Sequence, residues 1–250
     1  MFPRKTRSER VAWRALVTSS VLLLASIYAG RIVAQETHRG RNIFFPTPMY
    51  DRDWLASFGF ITTATPMALT EDFQFRIPAG DVQVLRQLHG GLHLNSRLQV
   101  QILQNHLSIG PRWAKQLDDH WNFSLGTDVG WFKGVLDLEG YDTEARGWDA
   151  LPNISIGLRT GRNVGLTLKT EAILNLQYSS RVGDQEIERP ISRYNGMAWS
   201  LYLEQPFFGR THISLGFTAR LTNYYWATWA LFDLNEKKHL YRQITVAFIP

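Results

Sequence analysis

The stretch VGLTLKTEAILNLQ, Val164 to Gln177, constrains the fold more than any other feature. Apolar or small residues hold nearly every even position, and Thr167, Lys169, Glu171, Asn175 and Gln177 hold odd ones. A period of two is a β-strand period, because successive side chains point to opposite faces. The pattern recurs along the chain. Val82, Val84, Leu88, Leu92 and Leu94 share an edge opposite Gln83, Gln87, His89 and His93, and Leu98, Val100 and Ile102 oppose Arg97, Gln99 and Gln101. Trp121, Phe123, Leu125, Val129 and Trp131 form another edge, as do Ile154 to Leu158, Met197 to Leu203, Ile213 to Leu221 and Leu240 to Phe248.

A soluble β-sandwich also alternates, but three observations favour a membrane-spanning barrel. Many runs reach 11 to 14 residues, where soluble strands cluster near 5 to 6 and spanning strands need about 9 to 11. Connections alternate in length, with Gly161 to Asn163 and Gln205 to Arg210 short, and 133–151, 179–195 and 222–238 long. Aromatic residues gather near strand ends: Trp121 and Trp131 lie on one edge, about 33 Å apart at ~3.3 Å per residue. Tilted by ~40°, that projects to about 25 Å, the height of a barrel's apolar band. Trp121, Trp131, Trp199, Tyr225 and Trp226 are therefore expected in the aromatic girdles.

The N-terminus carries Arg4, Lys5, Arg7, Arg10 and Arg14, then an apolar run from Ala15 to about Gly30 and a small residue at Ala34. This layout predicts a secretory signal peptide over 1–34, cleaved after Ala34. The apolar run of about 15 residues is short for a spanning helix, which needs ~20. Of 27 basic and 22 acidic residues, the signal holds six and one, leaving 21 and 21. The mature chain is formally neutral, which removes the support for a nucleic-acid partner. The chain has no cysteine, excluding disulfides, thiolate metal sites and a cysteine nucleophile.

Residues 35–52 are expected to form an irregular lead segment at the periplasmic end, and 53–250 the barrel. The pattern places ten strands at 53–64, 68–78, 82–94, 97–112, 120–132, 152–160, 164–178, 196–205, 211–222 and 239–249, with eight or twelve as alternatives. The fold class is all-β: a transmembrane antiparallel up-and-down barrel whose closure removes unpaired edges from the bilayer.

Together these features resemble the bacterial outer-membrane β-barrel proteins. The last strand carries the resemblance furthest, because Leu240, Ile244, Val246 and Phe248 form an alternating apolar edge ending in an aromatic, with Ile249 and Pro250 after it. The resemblance implies that barrel assembly machinery reads this strand, and that the partners are outer-membrane lipid and lipopolysaccharide.

The expected lumen carries both signs, Arg97, Arg159, Lys169 and Arg220 against Asp128, Glu171 and Glu204. Mixed charges in a narrow cavity pair with one another, whereas an ion-selective pore shows one dominant sign. No cofactor or metal set is predicted: His89 and His93 are about 13 Å apart along a strand. The triplets His106/Ser108 and His212/Ser214 each lie on one face, and a histidine beside a serine can activate it when a carboxylate orients the imidazole. His212 and Ser214 resemble the triplet of the outer-membrane lipid A deacylases, with Glu204 or Glu171 as third member. The sequence therefore predicts a non-enzymatic role, structural, loop-mediated binding or a narrow solute channel, with an envelope-lipid hydrolase as the alternative.

Overall fold

The computed structural model describes residues 41–49, 53–67, 76–138, 141–160, 163–183, 185–187, 192–223, 225 and 237–250. The signal segment and Trp226 lie outside them. Eleven strands run in chain order: β1 (Trp54–Ala64), β2 (Arg76–His89), β3 (Leu92–Val100), β4 (Gln104–Gln116), β5 (Trp121–Leu138), β6 (Tyr141–Thr160), β7 (Val164–Val182), β8 (Gln185–Ile187), β9 (Tyr194–Phe208), β10 (Thr211–Thr222) and β11 (His239–Ile249). Each pairs antiparallel with its neighbour. β1 meets β11 in register Phe58↔Phe248, and β7 is flanked by β6 and β9. The result is a closed ten-stranded up-and-down barrel, with the three-residue β8 added to the end of β7.

Strand β4 shows why the chain closes this way. Its side chains alternate strictly between buried and exposed, with Gln104, His106, Ser108 and Arg112 inward and Leu107, Ile109 and Trp113 outward. Polar inside and apolar outside inverts the soluble rule, so the barrel wall is built for an apolar solvent. The edge of β11 obeys the same rule: Leu240, Ile244 and Phe248 are exposed, while Gln243 and Thr245 are buried.

Four short connections lie at the end where β1 starts and β11 finishes, called here the turn end; the connections at the opposite, loop end include the longer ones. Two sequence expectations are corrected. The strand break expected at Asn95 and Ser96 falls instead at Gly90 and Gly91, where Gly90 takes φ 56°. That two-glycine turn moves the second, third and fourth strands to 76–89, 92–100 and 104–116. Asn95 is a lumen residue of β3, so its polarity reports the barrel interior, while Gly-Gly was the hairpin signal. Nor is 133–151 a long loop. β5 and β6 stay paired as far as Leu138 opposite Tyr141. At 18 residues, β5 covers about 60 Å, or roughly 45 Å along the barrel axis after tilting, well beyond the ~25 Å apolar band. The projecting wall carries Lys133–Glu144 at 3.3 Å and Arg181 near Asp142 and Glu144 at 3.8 and 3.9 Å.

Candidate functional site: a stoppered barrel and its inner chamber

At the turn end many inward residues are small. Ser57, Ala114, Ser124, Thr167, Ser214 and Ala247 are all buried, and Gly157 and Gly165 carry no side chain at all. A ten-stranded wall lined this way leaves a socket, and the chain fills it with its own residues 42–49. Ile43 and Phe45 are fully buried, Met49 nearly so. With Pro46 and Pro48 and no place in the sheet, this stopper cannot satisfy its backbone by strand pairing, so the groups must find partners elsewhere.

Two side chains supply those partners. The Glu204 carboxylate accepts the amides of Ile43 (2.7 Å) and Phe44 (3.2 Å) on Oε1 and of Phe45 (2.6 Å) on Oε2. The Arg112 guanidinium donates to the carbonyls of Ile43 (2.8 Å), Phe44 (3.2 Å) and Phe45 (2.8 Å). One anion holds the donors and one cation the acceptors of the same three residues, which is the charge-assisted arrangement that binds strongly. Further along, the Met49 amide donates to His93 Nε2 at 3.2 Å.

Shape completes the fit. Phe44 stacks on Tyr202, ring centroids 4.0 Å apart and 8° from parallel. The Phe45 ring lies where a Cβ on Gly157 or Gly165 would come within 2.6 or 2.7 Å of it. Arg159 sits 5.5 Å over that ring. Ile43, Phe44 and Met49 join Leu55, Leu85, Tyr202, Ala247 and Ile249 in one apolar cluster.

Beyond the stopper lies a polar chamber leaving about 60 Å³ for the centres of water molecules, enough for a few waters and no more. Its floor includes Phe44, Tyr202 and Arg112. In its walls Arg97 is bidentate to Asp81 (2.7 and 3.1 Å). Glu171 takes Lys169 at 2.8 Å and Arg220 at 3.5 Å. Asp128 accepts from Asn95 Nδ2 at 3.2 and 3.3 Å, and Gln83 Nε2 donates to Asn95 Oδ1 at 2.8 Å. Toward the loop end Gln243 Nε2 donates to Thr63 (3.2 Å) and to the Tyr225 hydroxyl (2.9 Å).

The expected lumen charges thus divide. Arg97, Asp128, Lys169, Glu171 and Arg220 line the chamber, whereas Glu204 and Arg159 contact the stopper. Three participants escaped the sequence reading. Asp81 fell just before a predicted strand, Arg112 at the end of one, and Asp149 within the supposed 133–151 loop. Trp121 and Trp199 are exposed on the outer wall, and Trp131 packs beside Trp148 at 6.5 Å. Tyr225 is corrected: it is buried rather than part of a girdle, because its hydroxyl has a lumen partner and its ring lies 4.9 Å from Arg220.

His212, Ser214 and Glu204 are all buried in the turn-end interior, with Ser214 opposite Glu204 across the β9–β10 ladder. Both Glu204 oxygens already hold stopper amides, so this carboxylate is committed to the stopper rather than to orienting an imidazole. A bilayer lipid would meet the opposite face of the wall, and the hydrolase alternative is not favoured.

A closed antiparallel barrel with an apolar outer face and a polar interior is the fold of the bacterial outer-membrane β-barrel proteins. Solved structures of that class are similar in fold. The translocator domain of the autotransporter NalP from Neisseria meningitidis matches with a TM-score of 0.40 and 8% identity, over 80% of this chain and 89% of that one. The KdgM porin, solved with disordered oligogalacturonate, matches with a TM-score of 0.37 and 6% identity over 77% and 97%. Ail, the attachment invasion locus protein of Yersinia pestis, matches with a TM-score of 0.31 and 8% identity over 79% and 97%. No protein-family model and no curated protein matches the chain.

Proposed function

We propose that this protein is an integral outer-membrane barrel without enzymatic activity, a narrow channel for small polar solutes held shut by its own N-terminal segment. Export uses residues 1–34 as a cleaved signal. The turn end then faces the periplasm, as short turns do in such barrels, and the loop end faces outward. The outer wall meets membrane lipid and lipopolysaccharide, and the β11 edge of Leu240, Ile244, Val246 and Phe248 is what the assembly machinery reads.

The observation that carries this reading is the stopper. A barrel needing only to be rigid fills its interior with its own wall side chains; here small wall residues such as Gly157, Gly165, Ser214 and Ala247 leave room for a separate segment clamped by Glu204 and Arg112. Refolded 35–250, its folding verified by gel shift, is expected to be silent in a planar bilayer, and the same chain lacking 35–49 to show steady conductance. A folded, truncated barrel that stays silent sinks the channel reading and leaves a structural or loop-binding role.

A further inference from the structure

We infer that the outer face of the barrel binds the phosphate of a membrane lipid between Lys133 of β5 and Arg146 of β6, just beyond the loop-end tryptophans. The ladders set the outward residues of β4 to β7 in rows. Ile109, Val129, Ala150 and Leu174 stand side by side, all apolar; the next row is Leu107, Trp131, Trp148 and Gln177, and the one after is Asn105, Lys133, Arg146 and Ser179. That third row holds no acid, and its Asn105, Lys133 and Arg146 are exposed. Tryptophan rings settle at the headgroup level of a bilayer. Two further residues add about 6.6 Å of strand, or roughly 5 Å along the axis after tilting. Lys133 and Arg146 therefore stand at the depth of the lipid phosphates.

Like charges directly opposite each other on a ladder repel. Lys133 reaches Glu144 at 3.3 Å, and Glu144 also takes Arg181 at 3.9 Å, one row farther from the membrane. Arg146 makes no ion pair and the Asn105 amide no hydrogen bond with any described residue. The Ser179 hydroxyl is committed, donating to Glu186 at 2.7 Å. A phosphate brings what this row lacks, negative charge and several acceptor oxygens. A guanidinium takes two such oxygens side by side and an ammonium adds a point charge, so one anion between the pair turns repulsion into attraction. The apolar rows beneath receive acyl chains, which selects a phosphorylated lipid over free phosphate. The inference rests on the proposed orientation, loop end outward, which makes that lipid one of the outer leaflet.

The test is native mass spectrometry of refolded 35–250, its folding verified by gel shift. The protein is titrated in detergent with bisphosphorylated lipid A, with the same lipid stripped of both phosphates, and with inorganic phosphate. Lipid A is expected to bind about tenfold or more tighter than its phosphate-free form, and inorganic phosphate not to be retained. The double variant Lys133→Gln/Arg146→Gln should lose about tenfold or more in lipid A affinity. Lys115→Gln, at an exposed cation beyond Trp113 at the turn end, should leave it unchanged. Equal binding of the phosphate-free lipid overturns the inference, and that readout needs no variant. So does an unchanged affinity in the double variant, or an equal loss in Lys115→Gln, which would reduce the effect to net charge. Inorganic phosphate held as tightly as lipid A overturns the assignment to a lipid. Conductance plays no part here, so the channel reading and the lipid site fail separately.

Discussion

The two halves of the lumen fill the same barrel by opposite means. At the turn end many wall residues are small and the filler is a separate piece of chain, largely apolar in side chain and clamped at the backbone of Ile43 to Phe45 by Glu204 and Arg112. Toward the loop end the wall residues are long and charged, pair among themselves, and leave water-sized space. The difference teaches where change can occur. The stopper belongs to no strand ladder and makes seven hydrogen bonds with Glu204, Arg112 and His93, so it can move without breaking the sheet, whereas the ion-paired wall side chains are fixed to the ladder itself.

The contrast can be broken most completely by removing residues 35–49. Uncovering Ile43, Phe44, Phe45 and Met49 forfeits on the order of 5 kcal/mol or more of apolar burial, at about 1.5–3 kcal/mol for each large side chain. The gel-shift unfolding temperature should fall markedly. An unchanged temperature would mean that the segment contributes little to the fold.

Next in size is the clamp. Glu204→Ala leaves three stopper amides without their acceptor, at a cost of about 3 kcal/mol. Bilayer recordings should then show intermittent openings, and Glu204→Gln, which keeps one acceptor oxygen, should show fewer. Equal silence from both would assign the hold on the stopper to its apolar contacts. Gly157→Val or Gly165→Val sharpens the comparison by shape alone, because the new Cβ intrudes on Phe45. Overpacking of this kind costs about 1–3 kcal/mol, and protease should reach the N-terminal segment while the barrel stays folded. Protection equal to that of the unmodified chain would show that Phe45 repacks within the socket.

The smallest effect lies outside both halves, at the β4–β5 turn. Asp118 Oδ1 accepts the amides of Trp121 and His120, both at 2.7 Å, which hold its carboxyl below the ordinary aspartate range. A depressed native value contributes stability above the unfolded value and loses it as pH falls through the folded one. Asp118→Ala should therefore unfold slightly earlier than the unmodified chain at neutral pH, and the two should converge in acid. A gap that persists in acid would trace the effect to turn geometry rather than charge.

Alternation made the barrel legible, because every strand in a closed wall repeats the same test, one face to lipid and one to lumen. It misplaced strand ends where polar residues had two meanings: Asn95 marks a lumen face, whereas an identical residue elsewhere marks a turn. The hairpin of β5 and β6 was missed for a related reason. Beyond the bilayer the lipid face need no longer be apolar, so the pattern fades while the ladder continues.

The sequence by itself determined the all-β class, the inverted polarity and the mixed charge of the interior, since each follows from local period and residue type. Only the tertiary structure decided that NIFFPTPM, residues 42–49, lies inside, and that Glu204 and Arg112 serve its backbone. These are contacts between positions up to 161 residues apart. Strand period says which way a side chain points, but barrel closure decides which side chains meet across the lumen.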